Sequence, residues 1–209
     1  MDISLWLTFV AASTMLVLIP GPTVLVVLSY ALSQGRKVAV STAAGVALGD
    51  LIAMTASLAG LGTLVLTSAT AFAVLKWAGA AYLVYLGVKL LRSAGSATAD
   101  IGAVTQASAR NTFWHATTVT ALNPKSIAFF IAFVPQFVRP DAALLPQFAI
   151  LIATFVTIAT LNALAYALMA DKLRSQITRP AVLRWITRAG GGTLIAMGLA
   201  TATLRRGQG

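Results

Sequence analysis

Cysteine is absent from this 209-residue chain, glutamate is absent too, and there is one histidine. Without thiols there are no disulfides, no thiolate metal ligands and no cysteine nucleophile. A lone His115 beside five aspartates leaves too few donors for a metal centre. Charge is scarce as well. Asp, Glu, Lys and Arg make up 10% of the residues, against about 25% in an ordinary soluble domain, too little to cover a water-facing surface. Segments of about ten residues alternating apolar and polar, the mark of a membrane β-barrel, are missing. So is any basic residue ahead of the first apolar run, which therefore reads as a retained helix rather than a cleaved signal peptide. Nucleophile-elbow, zinc-protease and phosphate-loop patterns do not occur, which argues against an enzyme and against nucleotide-driven pumping; no cofactor is expected.

What the chain has is long apolar runs. It is 58% hydrophobic with a mean hydropathy of +0.87. Runs of 18 or more apolar residues read as spanning helices, because lipid leaves the backbone no partner but itself. The fold class expected is an all-α polytopic membrane protein with six transmembrane helices, at about 5–32, 38–66, 71–91, 113–138, 145–170 and 185–204. The net charge of +10 belongs to the loops. Ten basic residues (Arg36, Lys37, Lys89, Arg92, Arg110, Lys172, Arg174, Arg179, Arg184 and Arg188) fall on one side of such a topology, and Lys76, Arg139, Arg205 and Arg206 on the other. The richer side is expected to be cytoplasmic, and a nucleic-acid partner is not. Trp6, Trp77, Trp114 and Trp185 sit near predicted helix ends, as an interfacial belt requires. The bilayer is thus the first partner.

Residues 93–110 are rich in Ser, Ala, Thr and Gly. They split a single transporter domain, 1–209, into halves 1–92 and 111–209 with three predicted helices each. The first helix of each half is interrupted by proline, at Pro20-Gly21-Pro22 and at Asn123-Pro124-Lys125, and three spans per half give the halves opposite orientations. Paired interruptions of this kind point to an inverted repeat with its binding site at the breaks.

Only two charges lie deep inside predicted helices. Asp50 and Lys125 are each 12 residues from a cytoplasmic helix edge, about 18 Å at 1.5 Å per residue, and Pro20 lies at about 20 Å by the same measure. A buried charge needs a partner or a wet cavity, so the shared depth predicts a midplane polar site between the first, second and fourth helices. Proline frees a carbonyl four residues upstream, which leaves those of Leu16, Leu18 and Thr120 open to a ligand. Helix N-termini at the breaks attract a carboxylate. One deep acid and one deep base suit a zwitterion, with Asp50 taking an ammonium and Lys125 a carboxylate; a purely structural Asp50–Lys125 pair is the alternative. Thr157 and Thr160, three residues apart, are candidates for the cavity wall, with Asn162 expected on another face. Gly45 and Gly49 read as a helix-packing face, and His115 as an interfacial residue near the cytoplasmic mouth.

The segments Leu18-Ile19-Pro20-Gly21-Pro22, Gln34-Gly35-Arg36-Lys37, Ala44 to Asp50, Leu75 to Gly87, and Leu122-Asn123-Pro124-Lys125-Ser126 through Val138, in this order and spacing, resemble the LysE/RhtB family of amino-acid exporters along nearly the whole chain. The resemblance implies a bacterial inner-membrane exporter of amino acids or their derivatives, driven by protons and often homodimeric. It marks Pro20-Gly21-Pro22 and Asn123-Pro124-Lys125 as the signature interruptions. An exporter of another small solute or of a metal ion, or a non-transporting membrane scaffold, are the alternatives.

Overall fold

A computed structural model describes residues 2–34, 36–67, 69–94, 107–139, 142–170 and 180–203. Most of the predicted linker, with Lys172, Arg174, Arg179, Arg205 and Arg206, lies outside the described residues. The chain is helical throughout them: α1 (Ile3–Leu18), α2 (Pro22–Gln34), α3 (Arg36–Thr67), α4 (Ala69–Ser93), α5 (Ala109–Ala121), α6 (Pro124–Ala132) followed by a 3₁₀ turn (Val134–Phe137), α7 (Leu144–Leu168) and α8 (Pro180–Thr203).

Two helices expected to be continuous are each two pieces. Asp2 caps α1 by accepting the Ser4 N–H at 3.0 Å, an interaction that holds its carboxyl below the usual carboxylate range. Pro20 and Pro22 then deprive the next turn of donors, so α1 ends at Leu18 and α2 starts afresh at Pro22, bent by 56°. In the second half α5 stops before Pro124, Asn123 caps α6 by accepting the Lys125 N–H at 3.0 Å, and the bend is 44°.

Three helices, within α3, α4 and α7, are long and apolar enough to cross a membrane, and each bent pair passes the same test when taken as one span. α8 is not among them, so against the six predicted spans the described residues show three such helices, or five spans if each bent pair counts as one. Large apolar side chains cover the outside, among them Leu145, Trp185, Trp77 and Leu161. That is the surface of a multi-pass membrane protein, since only lipid covers it without cost.

Inside, α3 runs between α5 and α7, and α4 packs along α8. Both seams need glycine. A Cβ on Gly45 would run into the Phe113 carbonyl, and one on Gly49 would lie 2.7 Å from the Thr117 carbonyl oxygen and from Thr120 Cβ, so α3 and α5 approach closely at these two glycines. Across the other seam a Cβ on Gly87 would sit 2.6 Å from the Gly191 carbonyl oxygen. Rings from three elements, Phe9, Phe129, Phe130 and Phe155, fill the core beside the breaks, and a second apolar cluster of Val24, Val27, Leu28, Val46 and Ala163 lies on their other side.

Candidate functional site

The end of α1 exposes carbonyls that no helical N–H can reach, and residues from the other half of the chain take them. Lys125 Nζ donates to Leu16 O at 3.0 Å and to Ile19 O at 2.8 Å. Asn162 Nδ2 donates to Val17 O at 3.0 Å, and the Tyr166 hydroxyl donates to Leu18 O at 3.2 Å. The carbonyls of Leu16 and Leu18 predicted to await a ligand are therefore already occupied. The same holds for Thr120, whose carbonyl accepts the Asn123 N–H at 3.1 Å.

A second set of bonds joins the two breaks at Thr23, in the first turn of α2. Its hydroxyl oxygen accepts from Asn123 Nδ2 at 3.1 Å and from the Thr120 hydroxyl at 3.3 Å, so its own proton is left over for another acceptor. The breaks thus form one unit, with each proline interruption braced by side chains from the opposite half.

Asp50 comes to this place from the middle of α3. It is 3% exposed, and its Oδ1 accepts no hydrogen bond. Lys125 is directed to the α1 carbonyls rather than to that oxygen. A buried acceptor left open is costly and marks a place where a partner belongs. Asp50 and Lys125 line one cavity of about 40 Å³, room for about three waters by the volume each needs. Gly21, Thr23, Asn123 and Ser126 line it from the helix starts. Both α2 and α6 therefore begin at the cavity, and the N–H groups of first helical turns favour an anion. Its remaining wall is apolar apart from Asn162 and Tyr166, and α7 contributes Phe155, Ala159, Asn162, Ala163 and Tyr166 to the lining.

Of the residues singled out in the sequence, Gly21, Asp50, Asn123 and Lys125 meet at this cavity. Pro20, Pro22 and Pro124 shape the breaks without lining it. Thr157 and Thr160 are not there: Thr157 is exposed, and the Thr160 hydroxyl donates to Val156 O at 2.6 Å on its own helix. The face of α7 that reaches the cavity is the one carrying Asn162, which had been expected to point elsewhere. Thr23 and Tyr166 carry no signal in the sequence that places them here. His115 is exposed midway along α5, sharing a 2.9 Å hydrogen bond through Nδ1 with the Tyr30 hydroxyl. Among the described residues no three His, Cys, Asp or Glu side chains come together to hold a metal.

Comparison with known proteins adds a family to this geometry. The model of the family described as LysE type translocator matches residues 14–205. A homoserine/homoserine lactone efflux protein of Salmonella typhimurium is 34% identical over 96% of this chain and 97% of its own. An uncharacterized membrane protein of Vibrio cholerae is 32% identical over 98% of this chain and 100% of its own. A leucine efflux protein of Salmonella typhimurium is 34% identical over 65% of this chain and 64% of its own. No solved structure matches.

Proposed function

The chain belongs to the LysE translocator family, whose members carry small solutes across membranes, and from that premise we propose that it exports amino acids or close derivatives across the bacterial inner membrane in exchange for protons. The observation that carries this reading is Asp50 Oδ1, an unpartnered buried acceptor in a cavity that also holds a half-buried base, Lys125. A substrate ammonium fits that acceptor. The substrate's carboxylate, where it has one, fits the remaining donors: the leftover Thr23 proton, the first-turn N–H groups of α2 after Pro22, the Ser126 N–H of α6, and the third ammonium proton of Lys125. Named substrates of the relatives, homoserine and its lactone in one and leucine in another, all bear an amine.

Proton coupling follows from the same carboxylate. A proton and an ammonium compete for Asp50, so a proton arriving from outside displaces the substrate outward, and its loss to the inside readmits another. Alternation of access requires the two halves to move against each other. We read them as inverted repeats of three spans, broken helix, long helix, long helix, with α8 the sixth span. Contacts support this pairing: second helices α3 and α7 touch, third helices α4 and α8 touch, and each second helix packs on the other half's broken helix.

The test is substrate counterflow in proteoliposomes, with a pH gradient imposed or collapsed. Exchange of an amino-acid substrate that an inward proton gradient accelerates supports the reading. Exchange indifferent to the gradient removes the antiport, and no exchange of any amine-bearing solute removes the substrate class.

A further inference from the structure

The two apolar clusters of the protein meet at the cavity, and the seam between them is lined by the smallest side chains on α7. Ala159 belongs to the phenylalanine cluster and Ala163 to the valine cluster. They are one helical turn apart, on one face, and each is only 4% exposed. Both line the cavity, together with Val24 and Val27 from α2 and Val46 from α3. All five positions are apolar. Among the described residues the only charged side chains in the lining are Asp50 and Lys125, and Lys125 already donates to two carbonyls.

We infer that Ala159 and Ala163, with the valines opposite, form the pocket for the substrate's side chain and restrict it to a compact uncharged group. The inference rests on the proposed amino-acid transport and specifies which amino acids it takes. A second ammonium on the substrate, as in lysine, meets no second carboxylate, and an unpaired charge at this depth is strongly disfavoured. Size discrimination in an apolar pocket amounts to roughly 10- to 200-fold per methylene. That makes a wall of alanines a sensitive ruler.

The experiment measures counterflow of alanine, leucine, phenylalanine and lysine in proteoliposomes holding the parent, Ala163→Leu or Val46→Ala, each as a ratio within one preparation. The parent is expected to carry leucine at least tenfold better than lysine. Ala163→Leu lowers the leucine-to-alanine ratio about tenfold, while Val46→Ala raises the phenylalanine-to-leucine ratio. Opposite shifts from filling and from emptying the pocket cannot come from a folding defect, which lowers every flux together. Lysine carried as well as leucine overturns the inference, and so do variants that scale all substrates alike, while transport by the parent still stands. A parent that carries none of the four overturns the transport reading and this inference with it.

Discussion

Asp50, buried, and Lys125, half-buried, are charges of different kinds. The lysine is committed, with its ammonium closing the end of α1 through the carbonyls of Leu16 and Ile19, whereas the aspartate has an oxygen still open. Asp50→Asn keeps the volume and removes the titratable group. It is expected to reach the membrane at parental levels and to lose gradient-driven accumulation, which proteoliposome flux at matched protein density measures; undiminished stimulation by the gradient would move the coupling proton to another residue. Lys125→Met removes two charge-assisted bonds, stranding the Ile19 carbonyl and leaving the Leu16 carbonyl only the Ile19 N–H at 3.3 Å. At about 1–3 kcal/mol for each buried group left unsatisfied, it is expected to lower the thermal unfolding midpoint in detergent clearly more than Asn162→Leu, which frees only the Val17 carbonyl. Equal midpoints for the two variants would mean that water replaces the lysine.

At the level of helices, stability rests on close approach. A side chain on Gly49 meets the Thr117 carbonyl and Thr120 Cβ at 2.7 Å, so Gly49→Val has to push α3 off α5, at a cost of about 1–3 kcal/mol or more for overpacking. Gly60, on the same helix with nothing within 4 Å of a Cβ, provides the control: Gly60→Ala is expected to be neutral or to stabilise by up to about 1 kcal/mol through helix propensity. Detergent melting curves of the two variants give the comparison. The sequence disclosed the breaks and the meeting of Asp50 with Lys125 because proline acts locally and charge is rare in lipid, so the two charges could be aligned by counting residues. It disclosed the inward face of α7 poorly. In a soluble helix polarity marks the outside, but here the lipid side is as apolar as the packed side, and the threonines at 157 and 160 misled. The readable signal was size: Ala159, Ala163 and Ala167 recur every four residues and are all buried, as close packing within a membrane demands. Thr23 gave no such signal, since its role comes from Asn123 and Thr120 on the other half.

For the whole molecule, the absence of cysteine makes topology directly measurable. With α1 and α2 forming one broken span, Ser4→Cys and Ser33→Cys, both at exposed positions, are expected on opposite faces: an impermeant maleimide added to intact cells labels the first and not the second. Labelling of both from outside would turn the bent pair into a re-entrant hairpin and change the span count. The cross-bracing of the breaks also dictates an order of events during synthesis. When the ribosome has made α1 and α2, the carbonyls of Val17, Leu18 and Ile19 are already committed to the bilayer with no partner and that of Leu16 has only the Ile19 N–H, while the side chains that take them, Lys125, Asn162 and Tyr166, are still untranslated. The first half therefore waits, incomplete, for the second. Nascent chains halted before residue 125 are expected to be cleared by quality-control proteases, and a gene cut within 95–106 to yield a working transporter only when both fragments are made together.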